Sequence, residues 1–391
     1  MSEYEFDYAS RIKKIQALLE RLELDFIIIT NIQNLYWLSG TAQYGVLLLS
    51  AKEKPALFIR RNLFKAKEEA YIENIIEMKK TSQIKEFIFK LSKSLDNLRI
   101  GMELDSLPAS FYIYYKKMLN GAEIRNIELD VRKLRMIKDR KELYLFKKAG
   151  KIAQKAQERI PEVLKPGIKE YEVAAEVIYQ AIKNQSVHFS NVNNIFGENW
   201  FILASGKNLW TPSYFPILSG EGLSNAIPYG YSDREIRKGD IIMCDYAINY
   251  MGYHADHART FYLEPYPEGF KRKYRILKNA YEEIKQDYLK AGIKVSEIYN
   301  QMKKLLKKEG LATFFQGNGY YYQGLGHGIG LELDEPPAFL PNIDLELKEN
   351  MVIAMEPKII IPEWGAIDLE DDFIIKPNGA EQITNTPYLF E

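Results

Sequence analysis

Four carboxylates and one imidazole carry the chemistry this sequence offers: Asp245, Asp256, His327, Glu356 and Glu370. The first two lie in one stretch, Cys244-Asp-Tyr-Ala-Ile-Asn-Tyr-Met-Gly-Tyr-His-Ala-Asp-His-Ala-Arg-Thr-Phe261. Met251-Gly252 reads as the turn of a hairpin, with Asp245 ending the strand Ile241–Cys244 and Asp256 on the return arm. Antiparallel pairing can bring residues of the two arms side by side. Two carboxylates placed together repel, and the usual remedies are a shared proton or a metal ion. His327 stands in Gly324-Leu-Gly-His-Gly-Ile-Gly330, where flanking glycines allow the backbone to approach a ligand closely. Glu356 closes the strand pattern Met351-Val-Ile-Ala-Met-Glu-Pro357, and Glu370 lies in Ala366-Ile-Asp-Leu-Glu-Asp-Asp-Phe-Ile-Ile375 before an apolar strand.

Singly, each residue has an ordinary reading: a turn-stabilising Asp, a loop His bonded to backbone, an exposed Glu at a strand end. Together they form a hard, oxygen-rich ligand set. Such a set suits two divalent ions (Mn²⁺, Co²⁺, Fe²⁺ or Zn²⁺) better than one structural zinc. A metal pair ~3.5–4 Å apart can hold a hydroxide between its members and polarise a substrate carbonyl.

The elements that must position these groups follow from periodicity. A helical hairpin is expected where Phe146, Ala149, Ala153, Ala156 and Ile160 mark one face, Pro161 and Pro166-Gly167 break the helix, and a second helix runs from about Tyr171 to Lys183. The phrase recurs: helix 271–290 ends at Ala291-Gly292, and another begins near Val295. Gly167-Ile168-Lys169 matches Gly292-Ile293-Lys294, and Glu172 matches Glu297, which favours an internal duplication enclosing a central cleft over chance similarity. The first 130 or so residues alternate helical patterns with compact strands at Phe26–Ile29, Val46–Leu49, Ala56–Ile59 and Arg99–Leu104, a small α/β domain with no phosphate-loop pattern.

Composition narrows the function classes. With 53 Lys plus Arg against 53 Asp plus Glu, the chain lacks the basic excess of a nucleic-acid binder. Cys244, the one cysteine, cannot form an internal disulfide, which fits a reducing compartment. The apolar runs are far too short for a membrane span, and the opening MSEYEFDYAS does not read as a leader. The expectation is a cytoplasmic protein that binds neither membrane nor nucleic acid.

The ordered motifs resemble those of the creatinase/prolidase/methionine aminopeptidase family, the pita-bread metallopeptidases. The Asp pair has an eleven-residue step and is followed by Arg259-Thr260; Glu356-Pro357 comes 29 residues after His327, and Glu370 lies 14 residues further on. Leu24-Asp25-Phe-Ile-Ile-Ile-Thr30 and Leu35-Tyr-Trp-Leu-Ser-Gly40 resemble the opening of the family's amino-terminal domain, and Leu134-Arg-Met-Ile-Lys-Asp-Arg-Lys-Glu-Leu143 the start of its catalytic domain. The resemblance implies an α/β (α+β) fold: a creatinase-type domain over residues 1–131 and a pita-bread domain over 132–391. It implies metal ligation by all five residues, with Asp256 and Glu370 bridging two ions, catalytic roles for Glu356 and His327, and a homodimer.

Three accessory positions depart from the family pattern. Tyr229, in Asn225-Ala-Ile-Pro-Tyr-Gly-Tyr231, holds the place of an upstream His; Asp334 stands where His-Glu-x-Pro begins; Asp368 replaces the prolidase-branch Arg. A carboxylate at 334 cannot donate a hydrogen bond unless protonated, and an acid at 368 repels an anionic substrate terminus if it faces the cleft. Both acids could equally turn away to pair with lysines or arginines. His254 shares a face with Asp256 and joins Tyr229, Asp334 and Asp368 as a substrate-binding candidate, whereas alternation turns His257 to the other face. His188 is a further candidate ligand, and Trp200, Phe201, Trp210, Tyr214, Phe215 and Tyr320-Tyr321-Tyr322 could wall the cleft or simply pack in core and loops.

The expected function is a dinuclear metallopeptidase that cleaves Xaa-Pro-type bonds of small peptides through a metal-bridging hydroxide. A non-peptide hydrolase or lyase for a small, cationic substrate is the alternative. A non-catalytic binding module is the third reading, disfavoured because all five ligands are present.

Overall fold

The computed structural model describes residues 5–187, 201–211, 213, 218–317 and 324–390. His188, Trp200, Tyr214, Phe215 and Tyr320–Tyr322 lie outside the described residues. The chain divides into two compact units, Met1–Arg135 and Met136–Glu391. The helix Glu128–Leu134 belongs to the first unit, where it packs against the helix Tyr8–Arg21.

In the first unit, six strands form one mixed sheet: β1 (Phe26–Ile29), β2 (Gly45–Ser50), β3 (Ala56–Ile59), β4 (Ile75–Glu77), β5 (Arg99–Met102) and β6 (Glu123–Asn126), in the order β4-β3-β2-β1-β5-β6. The Phe-Ile-Ile-Ile run of β1 is wholly buried, as a central strand covered on both faces requires. Asn31, two residues past β1, caps the next helix, Ile32–Ser39, its side chain accepting from the amides of Gln33 and Asn34.

The second unit opens with a helix, Arg140–Val163, started by a reciprocal capping box between Asp139 and Glu142. Its predicted stripe, Phe146 to Ile160, is buried. The helix runs two residues past Pro161: the proline removes one amide donor, but Leu164 N–H still reaches Ile160 O at 3.0 Å.

The breaks of the two helical hairpins repeat the same backbone bonds. Gly167 and Gly292 both adopt φ of +90°, the left-handed region open to glycine. The Gly167 amide donates to Ile236 O and the Gly292 amide to Leu347 O; Ile168 O and Ile293 O accept from Ile236 N and Leu347 N in return. Lys169 bridges Glu235 as Lys294 bridges Glu346. The helices Glu170–Lys183 and Val295–Lys308 then follow. The first hairpin is paired with the sheet β7 (Phe201–Ser205), β8 (Ile241–Tyr250) and β9 (Tyr253–Tyr262).

After the second hairpin come β10 (Gly326–Gly328), β11 (Glu335–Ala338), β12 (Val352–Met355), β13 (Lys358–Ile361), β14 (Gly365–Asp368), β15 (Asp371–Lys376) and β16 (Gly379–Gln382). They form a five-stranded sheet, β11-β10-β12-β15-β16, and the two-stranded β13-β14. Phe201 is buried and stacks on Tyr246, and Trp210 packs against the second unit's core, so both of these wall candidates are packing residues. Among the described residues no helix is long and apolar enough to cross a membrane.

Candidate metal centre

β8 and β9 form the expected hairpin. Tyr250 pairs with Tyr253, and Met251 and Gly252 both take positive φ (52° and 90°), which lets a two-residue turn match the twist of the arms. Asp245 lies opposite Ala258, and Asp256 opposite Ala247. The acids therefore share one face, diagonal across the ladder, within reach of each other's field. Asp245 does not end its strand: β8 continues through it to Tyr250, with Asp245 buried. A charged residue marks a strand end when it must reach water, and this one is held inside.

The edge of β9 away from β8 holds the backbone of Glu370. The Glu370 amide donates to Ala258 O at 3.1 Å. Glu370 O accepts from Arg259 Nη1 at 2.8 Å and pairs with His257 Nδ1 at 2.8 Å. Arg259 also binds Asp371 Oδ1 at 2.7 Å. Burial, assisted by Arg259, pushes His257 well below the usual imidazole pKa. Neutral His257 thus donates from Nδ1 to Glu370 O and accepts at Nε2 from Thr386 Oγ1, 2.8 Å away.

His327 is carried by β10, between β11 and β12. Its flanking glycines serve the strands rather than a ligand: a Cβ at Gly326 would lie 2.2 Å from Ala354 O, and one at Gly328 2.1 Å from Pro336 O. His327 Nε2 is 3.6 Å from Asp256 Oδ2, while Nδ1 is 3.0 Å from Gly328 O and 3.2 Å from Asp334 Oδ1. Burial opposes a charge on this ring, but Asp334 and Glu356 outweigh it and hold the pKa above its ordinary value.

Asp256, His327 and Glu370 each offer a ligand atom, all within 4.8 Å of one another. Burial is the main force raising the Asp256 and Glu370 carboxyls well above the usual range; the charges of Asp245 and Asp372 add to it at Asp256, and those of Asp256 and Asp245 at Glu370. Glu370 Oε2 is buried with no hydrogen-bond partner among the described residues. Carboxylates in that condition require protons or a cation, so these residues fit a divalent ion.

Glu356 follows β12, its amide donating to Leu325 O at 2.9 Å and its carbonyl accepting from Gln316 Nε2 at 3.2 Å. Its carboxylate is ion-paired with Lys358, whose Nζ is also 3.3 Å from Asp368 Oδ2. Glu356 and His327 are 14% and 13% exposed against 4% for Asp256, so substrate access is on their side.

Of the accessory candidates, Asp368 is buried and turned into the site with Lys358 as its partner. Asp334 is 58% exposed, at the rim beside His327. His254 has a different job from the expected one. Burial lowers its pKa to about 4, and its two ring nitrogens meet Gly330 O (3.0 Å) and Asn249 Nδ2 (3.3 Å), tying β9 to the glycine segment. Tyr229 is half-buried, beside Gly230, whose amide donates to Ser219 O. Sequence reasoning missed Lys358 and Gln316. The signal for Lys358 was a lysine heading an apolar strand, Lys358-Ile-Ile-Ile, opposite an acid that ends the paired one.

Comparison with known proteins gives the chain's family and relatives. Residues 144–377 match the model of metallopeptidase family M24, and residues 11–137 that of the creatinase/prolidase N-terminal domain. The chain is 29% identical over 379 residues to a Xaa-Pro dipeptidase of Pyrococcus horikoshii, covering 96% of this chain and 97% of the relative. Its fold is similar to the crystal structure of the prolidase from Pyrococcus horikoshii OT3 (TM-score 0.82, 28% identity, covering 98% of this chain and 100% of that one). It is also similar to a Xaa-Pro dipeptidase from Bacillus anthracis (TM-score 0.83, 26% identity, 98% and 99% covered).

Proposed function

Because this chain belongs to metallopeptidase family M24 and is a metallohydrolase, we propose that it hydrolyses Xaa-Pro-type bonds of small peptides, as a dipeptidase or aminopeptidase. The observation that carries the reading is the convergence of Asp256, His327 and Glu370 on one cation-sized space in a chain whose relatives match end to end.

Asp256, His327 and Glu370, with Asp245 and Glu356 as further donors, would hold the divalent ions. Divalent ions bound there provide Lewis acidity for the scissile carbonyl and acidify the attacking water. Glu356, on the open side, accepts the proton of that water as its oxygen attacks the carbonyl carbon, then delivers it to the leaving nitrogen as the C–N bond breaks. Gly328 O, 3.0 Å from His327 Nδ1, accepts the N–H that would fix the tautomer and leave Nε2 for the ion, and Asp334, 3.2 Å from the same nitrogen, adds its charge. The exposed carboxylate of Asp334 also offers a counter-charge to a substrate ammonium at the rim.

The test is turnover by purified protein, loaded with Mn²⁺ or Co²⁺ and with metal content verified. Xaa-Pro dipeptides and Xaa-Pro-Xaa tripeptides separate dipeptidase from aminopeptidase. Release of product from neither set would reject the proposal. It would also favour the second reading, a small cationic non-peptide substrate, which the acid at the rim supports.

A further inference from the structure

In the second unit, a cleft of about 730 Å³ is lined by none of the five ligand candidates. One wall is the helix Phe270–Asp287, where Lys278, Glu282 and Lys285 fall on one face at helical spacing. A second is the helix Arg140–Val163, which contributes Glu158 and Gln154. The third is the chain from 382 to 388, whose lining residues carry no charge. That third wall is fixed by buried bonds. Thr386 donates its hydroxyl to His257 Nε2 (2.8 Å), its carbonyl accepts from Arg259 Nη2 (3.1 Å), and the Tyr388 hydroxyl donates to Asp371 Oδ2 (2.7 Å). The Arg259 guanidinium lies 4.5 Å from the Tyr388 ring. A cleft with a wall tied down in this way is preformed, so a ligand need not spend binding energy on ordering it.

The charges of the cleft are divided between its walls. The helix Phe270–Asp287 brings two lysines against one glutamate, and the helix Arg140–Val163 a glutamate alone. Both ammonium groups gather at Tyr388: Lys278 Nζ and Lys285 Nζ lie 5.4 and 5.2 Å from its ring, and Lys285 also donates to its hydroxyl at 3.2 Å. Glu282 Oε1 holds Lys285 at 2.7 Å, and Glu158 Oε1 accepts from Gln154 Nε2 at 3.1 Å. Asn279 and Asn385 add amides that both donate and accept. A simple anion would meet the two glutamates here, and a simple cation the two lysines. A molecule with a carboxylate at one end and an ammonium at the other complements both poles. We propose that this cleft is a second small-molecule site, for a zwitterion with separated charged ends, an ω-amino acid or a short peptide. Its carboxylate sits at the lysines beside Tyr388 and its ammonium at Glu158.

The experiment is calorimetric titration of the purified full chain with 4-aminobutyrate, and with butyrate and butylamine, which each lack one of its charges. 4-Aminobutyrate should bind saturably, and each single-charge analogue about tenfold more weakly, the loss of one charge-assisted hydrogen bond. In Glu158→Gln the advantage over butyrate should disappear. In Lys278→Met the advantage over butylamine should shrink by about tenfold, with Lys285 still in place. Glu158 is exposed and Lys278 half-buried, each on a helix surface, so neither substitution opens the core. The crossed pattern, one variant for each charge, separates this site from general damage, which would weaken all three ligands together. Absence of saturable binding by the wild type, butyrate or butylamine binding as tightly as 4-aminobutyrate, or binding that survives both substitutions unchanged would overturn the proposal. No metal is added, so the outcome is independent of the peptidase assay.

Discussion

Both units bury carboxylates, but they treat them differently. In the first, Glu103 Oε2 accepts from the amides of Thr30 (2.7 Å) and Asn31 (2.8 Å), and Oε1 from Asn34 Nδ2 (2.7 Å). The second unit has a counterpart in Glu170, which takes amide and hydroxyl donors from Ser205 on one oxygen and from Ser232 on the other. Asp256 and Glu370 are as deeply buried, but Asp256 accepts one amide, from His257 at 3.1 Å, Glu370 Oε2 accepts none, and the charges that raise both are those of other acids. Burial alone therefore does not mark a site. A buried acid supplied with N–H and O–H donors is a structural strut; one surrounded by acids is a cation seat.

Removing a seat should do most. Asp256→Ala or Glu370→Ala should lower turnover by a thousandfold or more, roughly the scale of losing a cooperating catalytic group, and abolish tight metal binding by elemental analysis. Glu170→Gln should retain its metal; loss of metal there would erase the distinction between strut and seat.

The strut in the first unit predicts a pH effect. Burial raises Glu103 from an ordinary 4.5 to about 7. Between those values the folded state binds more protons than the unfolded one, so stability falls as pH rises. The contribution is fully present below pH 4.5 and is lost above about 7. Its size is about 3 kcal/mol. Urea denaturation at pH 5 and 8 should reveal it, and Glu103→Gln should flatten it.

The seat should follow the same sign only when emptied. Asp256 and Glu370 are raised in the absence of an ion, so chelated protein should lose stability as pH rises above the ordinary carboxylate range. Bound ion should offset this, by about 2.7 kcal/mol at a hundred times its dissociation constant. Melting with and without Mn²⁺ across pH 5 to 8 checks it; parallel curves would contradict it. The smallest effect is expected at the rim. Asp334→Asn should weaken metal binding about tenfold, the low end for a charge beside a ligand histidine. An unchanged affinity in a Co²⁺ titration would leave Asp334 as a substrate contact alone.

Local patterns carried a good part of this into the sequence. Alternation and turn chemistry located the β8–β9 hairpin, and the Gly-Ile-Lys phrase located both helical hairpins, because each depends on neighbours a few positions away. Local patterns failed where the partner was distant. Asp245 read as a strand end, the glycines around His327 as room for a ligand, and His254 as a substrate contact. Each was decided by a strand or carbonyl that sequence adjacency does not reveal.

The sequence by itself determined the inventory: which acids and which imidazole exist, in what order, and on what kind of element. Tertiary structure alone decided which buried acid receives backbone amides, which meets another acid, and which is handed a lysine. The physical reason is that a buried charge is set by the few groups within about 4 Å of it. In a folded chain those groups come from segments such as 256, 327 and 370, which only packing brings together.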